Sequence, residues 1–120
     1  MLPTFLVPEI EIRGNGASEP VALDTREPLL ITLGVLKVIE QESLLVSIEG
    51  SSDGAQWQPA PLVSFPEKFY PGVSAVYLDT AEENVRFVRA AWKVNRWGRG
   101  DKTPLFRIYV FVEAVGRAEF

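Results

Sequence analysis

The feature that most constrains this chain is a short run of alternating apolar side chains that stops at a glycine-rich turn. In Leu44–Glu49 the first, third and fifth residues are large and apolar, which is the two-residue repeat of a half-buried strand. Asp53 and Gly54 follow, and Asp-Gly is a strong hairpin signal because glycine accepts a positive φ and aspartate can hydrogen-bond its own backbone. The stretch therefore predicts a strand, a tight turn and, at Trp57, the start of the next strand, where the large side chain can cover a sheet face.

Apolar segments of this kind recur along the 120 residues and are separated by short turns rich in glycine, proline and aspartate. They are Phe5–Ile12, Val21–Asp24, Leu29–Ile39, Leu44–Gly50, Leu62–Phe65, Ser74–Leu78, Asn84–Asn95 and Pro104–Val115. About eight short strands at this spacing are typical of an antiparallel sandwich or a jelly roll. We therefore predict an all-β fold, with a single antiparallel β-sandwich domain over residues 1–120.

Two of these segments contain residues that indicate their place in a sheet. Pro8 has no N–H for a ladder hydrogen bond, so Phe5–Ile12 is expected at a sheet edge, with its side chains alternating regularly. Leu29–Ile39 is apolar on both faces, which is typical of a central strand. Gly34 in its middle predicts a bulge or the close approach of another group.

Three stretches resemble a known family. Ser51–Trp57 has the Ser-x-Asp-Gly-x-x-Trp form of the hairpin in discoidin-like (coagulation-factor C-type, galactose-binding-like) domains. Val85–Ala90 is similar to that family's arginine-flanked strand, and Phe106–Val112 to its closing strand. The chain is also similar to small phage-type β-sandwich proteins. The resemblance implies a β-sandwich and no ligand residues, since the chain has neither the family's cysteine pair nor its usual N-terminal portion.

The sequence contains no cysteine and no histidine. Disulfides and thiolate chemistry are therefore excluded, and so are the commonest general base and the commonest transition-metal ligand. A Ser-His-Asp triad and the usual zinc and haem sites cannot be built from these residues, so we predict no cofactor, no metal and no enzymatic activity. The net charge of −4 argues against nucleic acid as a partner.

Targeting and membrane signals are missing from the sequence. The first residues lack the basic stretch and the long apolar core of a signal peptide. No apolar run approaches the ~20 residues of a membrane span. We expect a cytoplasmic protein, or a virion protein if the chain is phage-derived, with no membrane partner.

The loop after Asn95 is the first candidate binding site. Trp97 has no place in an alternating pattern, and Arg96, Arg99 and Lys102 surround it with positive charge in an otherwise acidic chain. An aromatic platform beside cations suits stacking on a sugar ring or contact with an anionic group. The alternative is a hairpin loop whose charges are solvated and whose tryptophan covers a sheet edge.

A second candidate is the aromatic pair Phe69 and Tyr70, which lies between two prolines. Large aromatic side chains usually end up covered, so burial under the loop is the expected state. If the pair were exposed at the same end of the sandwich as Trp97, the three rings would form a ligand or assembly surface.

Two functions remain open from the sequence. The first is a non-enzymatic structural or assembly module, for instance a phage-derived virion component, whose partners are copies of the chain or other virion proteins. The edge strand near Phe5 and the apolar final strand would supply the contacts. The alternative is a carbohydrate-binding module that holds a glycan on the loop around Trp97.

Overall fold

The computed structural model describes residues 3–23, 27–38, 42–79, 85–96 and 105–115. In these ranges the protein consists of strands joined by turns and loops. The strands are β1 Thr4–Ile12, β2 Gly16–Ala17, β3 Val21–Ala22, β4 Leu29–Val38, β5 Glu42–Ser51, β6 Val63–Ser64, β7 Gly72–Leu78, β8 Phe87–Arg96 and β9 Phe106–Ala114. The described ranges contain no helix, and hence none long and apolar enough to cross a membrane.

The strands form two antiparallel sheets. Sheet A has the order β1-β9-β4-β7, and sheet B has the order β2-β8-β5-β6, with β3 also paired to β8. The two sheets enclose one hydrophobic core, which gives a sandwich-like arrangement. The predictions of an all-β fold and of antiparallel pairing are confirmed.

The core is built from every second residue of the long strands. Its fully buried members on β4, β5, β8 and β9 include Ile31, Leu33, Leu44, Val46, Ile48, Val88, Ala90, Phe106, Ile108, Val110 and Val112. Burial of each large aliphatic or aromatic side chain contributes about 1.5–3 kcal/mol. The two-residue alternation in the sequence is therefore the pattern that sets the inner face of each strand.

The edge strand β1 departs from the regular alternation that the sequence predicts. Its register against β9 shifts twice, between Phe5 and Val7 and between Val7 and Ile10. The first shift leaves Leu6 and Val7 both buried, although they are neighbours in sequence. At the second shift, Pro8 and Glu9 of β1 both lie opposite Tyr109 of β9. Bulges of this kind are common at sheet edges, because one extra residue can be accommodated there with little disruption.

The chain after the Asp-Gly turn also differs from the prediction. Trp57 does not begin a strand; the return strand is β6, which pairs with β5 through Ile48 and Val63. Residues 52–62 form the turn and then an irregular segment. A hydrogen bond from Leu62 N to Ile48 O (2.8 Å) joins the end of this segment to β5. The short strand β2 was likewise not expected, because Gly16 and Ala17 lie outside every segment that the sequence predicts as a strand.

Candidate functional site

The outer faces of the two sheets differ in chemistry. On sheet A, directly paired residues share a face, and those that point away from the core are mostly apolar or aromatic. The apolar and aromatic members are Phe5, Leu30, Val73, Ala75, Tyr77, Tyr109 and Phe111, and the polar or charged members include Glu11, Thr32, Arg107 and Glu113. An exposed apolar face of this kind is a typical interaction surface.

A groove crosses this face between β1, β9 and β4. We call it the aromatic groove; its volume is about 510 Å³, and it is lined by Phe5, Pro8, Glu9, Thr32, Tyr109 and Phe111. The ring of Phe5 lies edge-on to Phe111, with centroids 4.9 Å apart, and edge-on to Tyr109 at 6.1 Å. Both are favourable aromatic geometries, so the three rings hold one another in place.

The position of Tyr109 depends on its cross-strand neighbour Gly34. The two residues are directly paired between β9 and β4. A Cβ on residue 34 would lie 1.9 Å from Cε2 and 2.3 Å from Cζ of the tyrosine, so the ring lies across the glycine backbone. This is the close approach that a glycine inside a strand indicates.

Charged side chains border the aromatic groove on the β1 side. Arg107 donates from Nε to Glu9 Oε2 at 2.7 Å, and its Nη1 lies 3.6 Å from Glu11 Oε1. The three side chains are about half exposed. Their ion pairs with one another, more than burial, therefore hold them in position. Glu11 also lies 3.8 Å from Nη2 of Arg13, so the rim has two carboxylates, two guanidiniums and no net charge.

The strand edges of the described residues are unequally protected. Sheet B ends in the two-residue strands β2 and β6, and very short edge strands are poor templates for pairing. β1 carries Pro8, Glu9, Glu11 and two bulges, all of which discourage a further strand. The final strand β9 lies between β1 and β4 and has no free edge, so neither strand that the sequence suggested for pairing is suited to it. β7 has seven residues, GVSAVYL, without proline or charge, and pairs with β4 without any irregularity.

The outer face of sheet B is more polar. The hydroxyls of Ser47 and Ser64 are 2.9 Å apart across β5 and β6. Arg89 donates from Nε to Glu49 Oε1 at 2.7 Å, and its guanidinium carbon lies 4.3 Å from the ring centroid of Trp57. Trp57 therefore has a planar cation against its ring.

The Asp-Gly turn is held by two side chains. Asp53 Oδ1 accepts hydrogen bonds from the backbone N–H groups of Ala55 and Gln56, both at 2.9 Å. The Gln56 and Ala55 contacts, and then Ser51, lower the pKa of Asp53 below its ordinary value, because each stabilises the carboxylate. Ser51 Oγ accepts from the N–H of Gly54 at 2.9 Å, and φ of Gly54 is +79°.

The aromatic pair Phe69 and Tyr70 is exposed, and the expectation of burial is wrong. The exposed fractions are 43% and 78%. The backbone of Lys68 exchanges two hydrogen bonds with Leu44 (2.8 and 2.9 Å), which fixes this segment beside β5. The two residues follow Lys68 in the segment that leads to β7, and their side chains remain exposed.

Most of the predicted basic loop lies outside the described residues. Trp97, Arg99 and Lys102 belong to residues 97–104, and Arg96 is described only as the last backbone position of β8. The hypothesis of a glycan site around Trp97 therefore stays a prediction.

One buried carboxylate was not singled out by the sequence. Glu42 lies between two of the predicted strands. In the structure it begins β5 and is almost fully buried, and its Oε1 accepts a hydrogen bond from Leu105 N at 2.8 Å. Among the described residues, no group of three or more acidic side chains is placed to hold a metal ion.

The aromatic groove was also not predicted from the sequence, although the sequence contains a pattern that marks it. Tyr109 and Phe111 occupy positions of β9 that alternate with buried residues, and Phe5 does the same next to Leu6. Aromatic residues repeated at outward positions are the pattern that could have identified it.

No protein-family model, no curated protein and no solved structure matches this chain.

Proposed function

We propose that the chain is a non-enzymatic assembly module that pairs with a second copy of itself along the outer edge of β7. A phage-derived virion component or an accessory β-sandwich would use such a contact. The observation that carries the proposal is the contrast between the edges: β7 alone among the described strand edges is long, regular and free of charge and proline. An edge of this kind is a template for another strand.

The residues of β7 complement their own copies. Antiparallel pairing about a two-fold axis at Ala75 sets Val73 of one chain opposite Tyr77 of the other. A β-branched residue opposite an aromatic one is a favourable cross-strand pair, and the two-fold axis repeats it. Val73 and Tyr77 are 66% and 56% exposed in the single chain, so pairing would cover apolar surface that now faces water.

Charge favours the same edge. Each copy has a net charge of −4, so two copies repel one another at long range. The β7 strand contributes no charge of its own to this repulsion. On the opposite edge, Glu9 and Glu11 would meet their own copies, which would disfavour pairing there.

The architecture we propose is a jelly roll. If β2 and β3, which both pair with β8, count as one interrupted strand, the chain has eight strands in two sheets of four. The orders 1-9-4-7 and 2/3-8-5-6 fit two interlocked Greek keys, the arrangement of jelly rolls in capsid and lectin domains. The discoidin-like resemblance is compatible with it. This likeness concerns the fold, and function still depends on the surface.

The test is the mass in solution, measured by light scattering from about 10 μM to 1 mM, where weak association becomes visible. We expect a dimer that dissociates on dilution, because a seven-residue edge is a small interface. Tyr77→Lys should give a monomer. The matched control is Phe5→Lys, an outward aromatic residue on β1 that is 50% exposed; it changes the net charge equally and should leave the dimer intact.

A monomer throughout this range would contradict the proposal. So would a dimer that survives Tyr77→Lys and is lost in Phe5→Lys, because the contact would then lie on the β1 side.

A further inference from the structure

The aromatic groove on sheet A has a floor and a wall. Tyr109 is the floor, since its ring lies across the backbone of Gly34. Phe5 is the wall, because its ring plane is inclined by 78° to that of Tyr109. A flat ring placed on the tyrosine would thus meet the phenylalanine at its side.

The β1 bulge completes the groove. Pro8 and Glu9 lie opposite Tyr109, where two residues of β1 face one residue of β9. Both side chains are exposed and line the groove. Bulges often re-aim side chains next to binding sites, and this one adds an apolar ring and a carboxylate to the aromatic floor.

The rim offers both kinds of hydrogen-bonding group. The carboxylate of Glu9 accepts, the guanidinium of Arg107 donates, and the hydroxyls of Thr32 and Tyr109 can do either. Glu9 and Arg107 are already joined at 2.7 Å, so they are oriented before any ligand arrives. Together with Glu11 and Arg13, whose Nη2 lies 3.8 Å from Glu11 Oε2, the rim has no net charge. The chain as a whole has a net charge of −4, which disfavours anionic ligands.

The shape of the groove selects an amphipathic ligand. A purely apolar molecule gains most in a site that encloses 70–90% or so of its surface, whereas this groove is open along a sheet face. Its occupant must keep one side in water, present an apolar face to Tyr109 and carry polar groups around its edge. A pyranose ring has this combination, with C–H groups on its faces and hydroxyls around its rim.

We propose that the aromatic groove binds a neutral pyranose ring of a glycan, stacked on Tyr109 and bordered by Phe5. Glu9 and Arg107 bind hydroxyls at the ring edge. The site is lined by residues of β1, β9 and β4 and is separate from the outer edge of β7. It does not require self-association.

The experiment is calorimetric titration of the full chain with neutral oligosaccharides, namely cellohexaose, laminarihexaose and mannohexaose, and with oligogalacturonate as the acidic counterpart. We expect at least one neutral probe to bind with micromolar to millimolar affinity and oligogalacturonate to bind more weakly. Tyr109→Ala should weaken binding by at least about tenfold. Tyr70→Ala, which removes a more exposed tyrosine outside the groove, is the matched control and should leave the affinity unchanged.

Two further variants keep the test decisive if Tyr109→Ala does not fold. Phe5→Ala removes the wall at a half-exposed edge position and should also weaken binding. Tyr109→Phe retains the floor and should keep most of the affinity. The mass of each variant is measured alongside, and Tyr77→Lys should still bind, which separates this proposal from the edge pairing.

Three results would overturn the proposal: no heat with any neutral probe, binding that is unaffected by both Tyr109→Ala and Phe5→Ala, and preference for oligogalacturonate. A proline-rich peptide is the competing occupant, because such peptides also dock in aromatic grooves. Tighter binding of a decaproline peptide than of every oligosaccharide would decide against the glycan.

Discussion

The ring of Tyr109 occupies the space that a side chain at Gly34 would need. A Cβ built there would come within 1.9 to 2.6 Å of three ring atoms. Gly34→Ala must therefore displace the ring, and overpacking of this kind costs about 1–3 kcal/mol in the free energy of unfolding. Urea unfolding measures it. Gly14→Ala, where no atom lies within 4 Å of the new Cβ, is the control and should change stability by less than about 0.5 kcal/mol. Equal effects of the two substitutions would mean that the tyrosine does not lie across this backbone.

Gly54 lies in the left-handed region with φ of +79°. A new Cβ would also approach the Phe87 ring to 3.3 Å. Gly54→Val should thus lower the free energy of unfolding by about 1–3 kcal/mol. Gly54→Asn should cost less, because asparagine tolerates this conformation. Urea unfolding of both variants checks the order, and a valine variant as stable as the asparagine variant would argue against backbone strain at this turn.

The hydrogen bonds to Asp53 make the stability of the turn depend on pH. Its pKa is lowered from the ordinary 3.8, first by the N–H of Gln56 and then by that of Ala55. A lowered pKa in the folded state stabilises the protein above the unfolded pKa, and this contribution is lost as the pH falls through the folded value. Since the carboxylate is exposed, the effect should be small.

The measurement compares the wild type with Asp53→Asn in thermal unfolding from about pH 6 to pH 2.5, a range that covers the titration of an aspartate. The wild type should lose more stability than the variant on acidification, so that the gap between them narrows. A gap that is constant with pH would show that the carboxylate charge does not contribute.

The sequence predicts those parts of this fold that depend on neighbours along the chain. The inward residues of β9, such as Ile108 and Val110, follow from alternation alone, and the conformation of Gly54 follows from the local chemistry of an Asp-Gly turn. The bulges of β1 do not follow, because they are visible only as register shifts against β9, about a hundred residues away in the sequence.

The candidate site was harder to predict for the same reason. The groove requires Phe5 from β1, Tyr109 from β9 and Gly34 from β4, and alternation does not say which strands are neighbours. Phe69 and Tyr70 show the opposite error, since the general tendency of aromatic residues toward burial was overridden by the local attachment of Lys68 to β5.

The bond between Glu42 and Leu105 joins the start of β5 to the residue before β9. The carboxylate oxygen accepts from the buried backbone N–H at 2.8 Å, across 63 residues of sequence. Glu42→Ala leaves this N–H without its acceptor and should lower the free energy of unfolding by about 1–3 kcal/mol. Glu42→Gln retains an amide oxygen that can accept the same hydrogen bond, so it should be the milder change.

Urea unfolding measures the cost of each substitution in the free energy of unfolding, and amide hydrogen exchange at Leu105 reports directly on the hydrogen bond to Glu42. Exchange at Leu105 should accelerate in the alanine variant beyond the change in global stability. Unchanged protection there would mean that another group satisfies the amide.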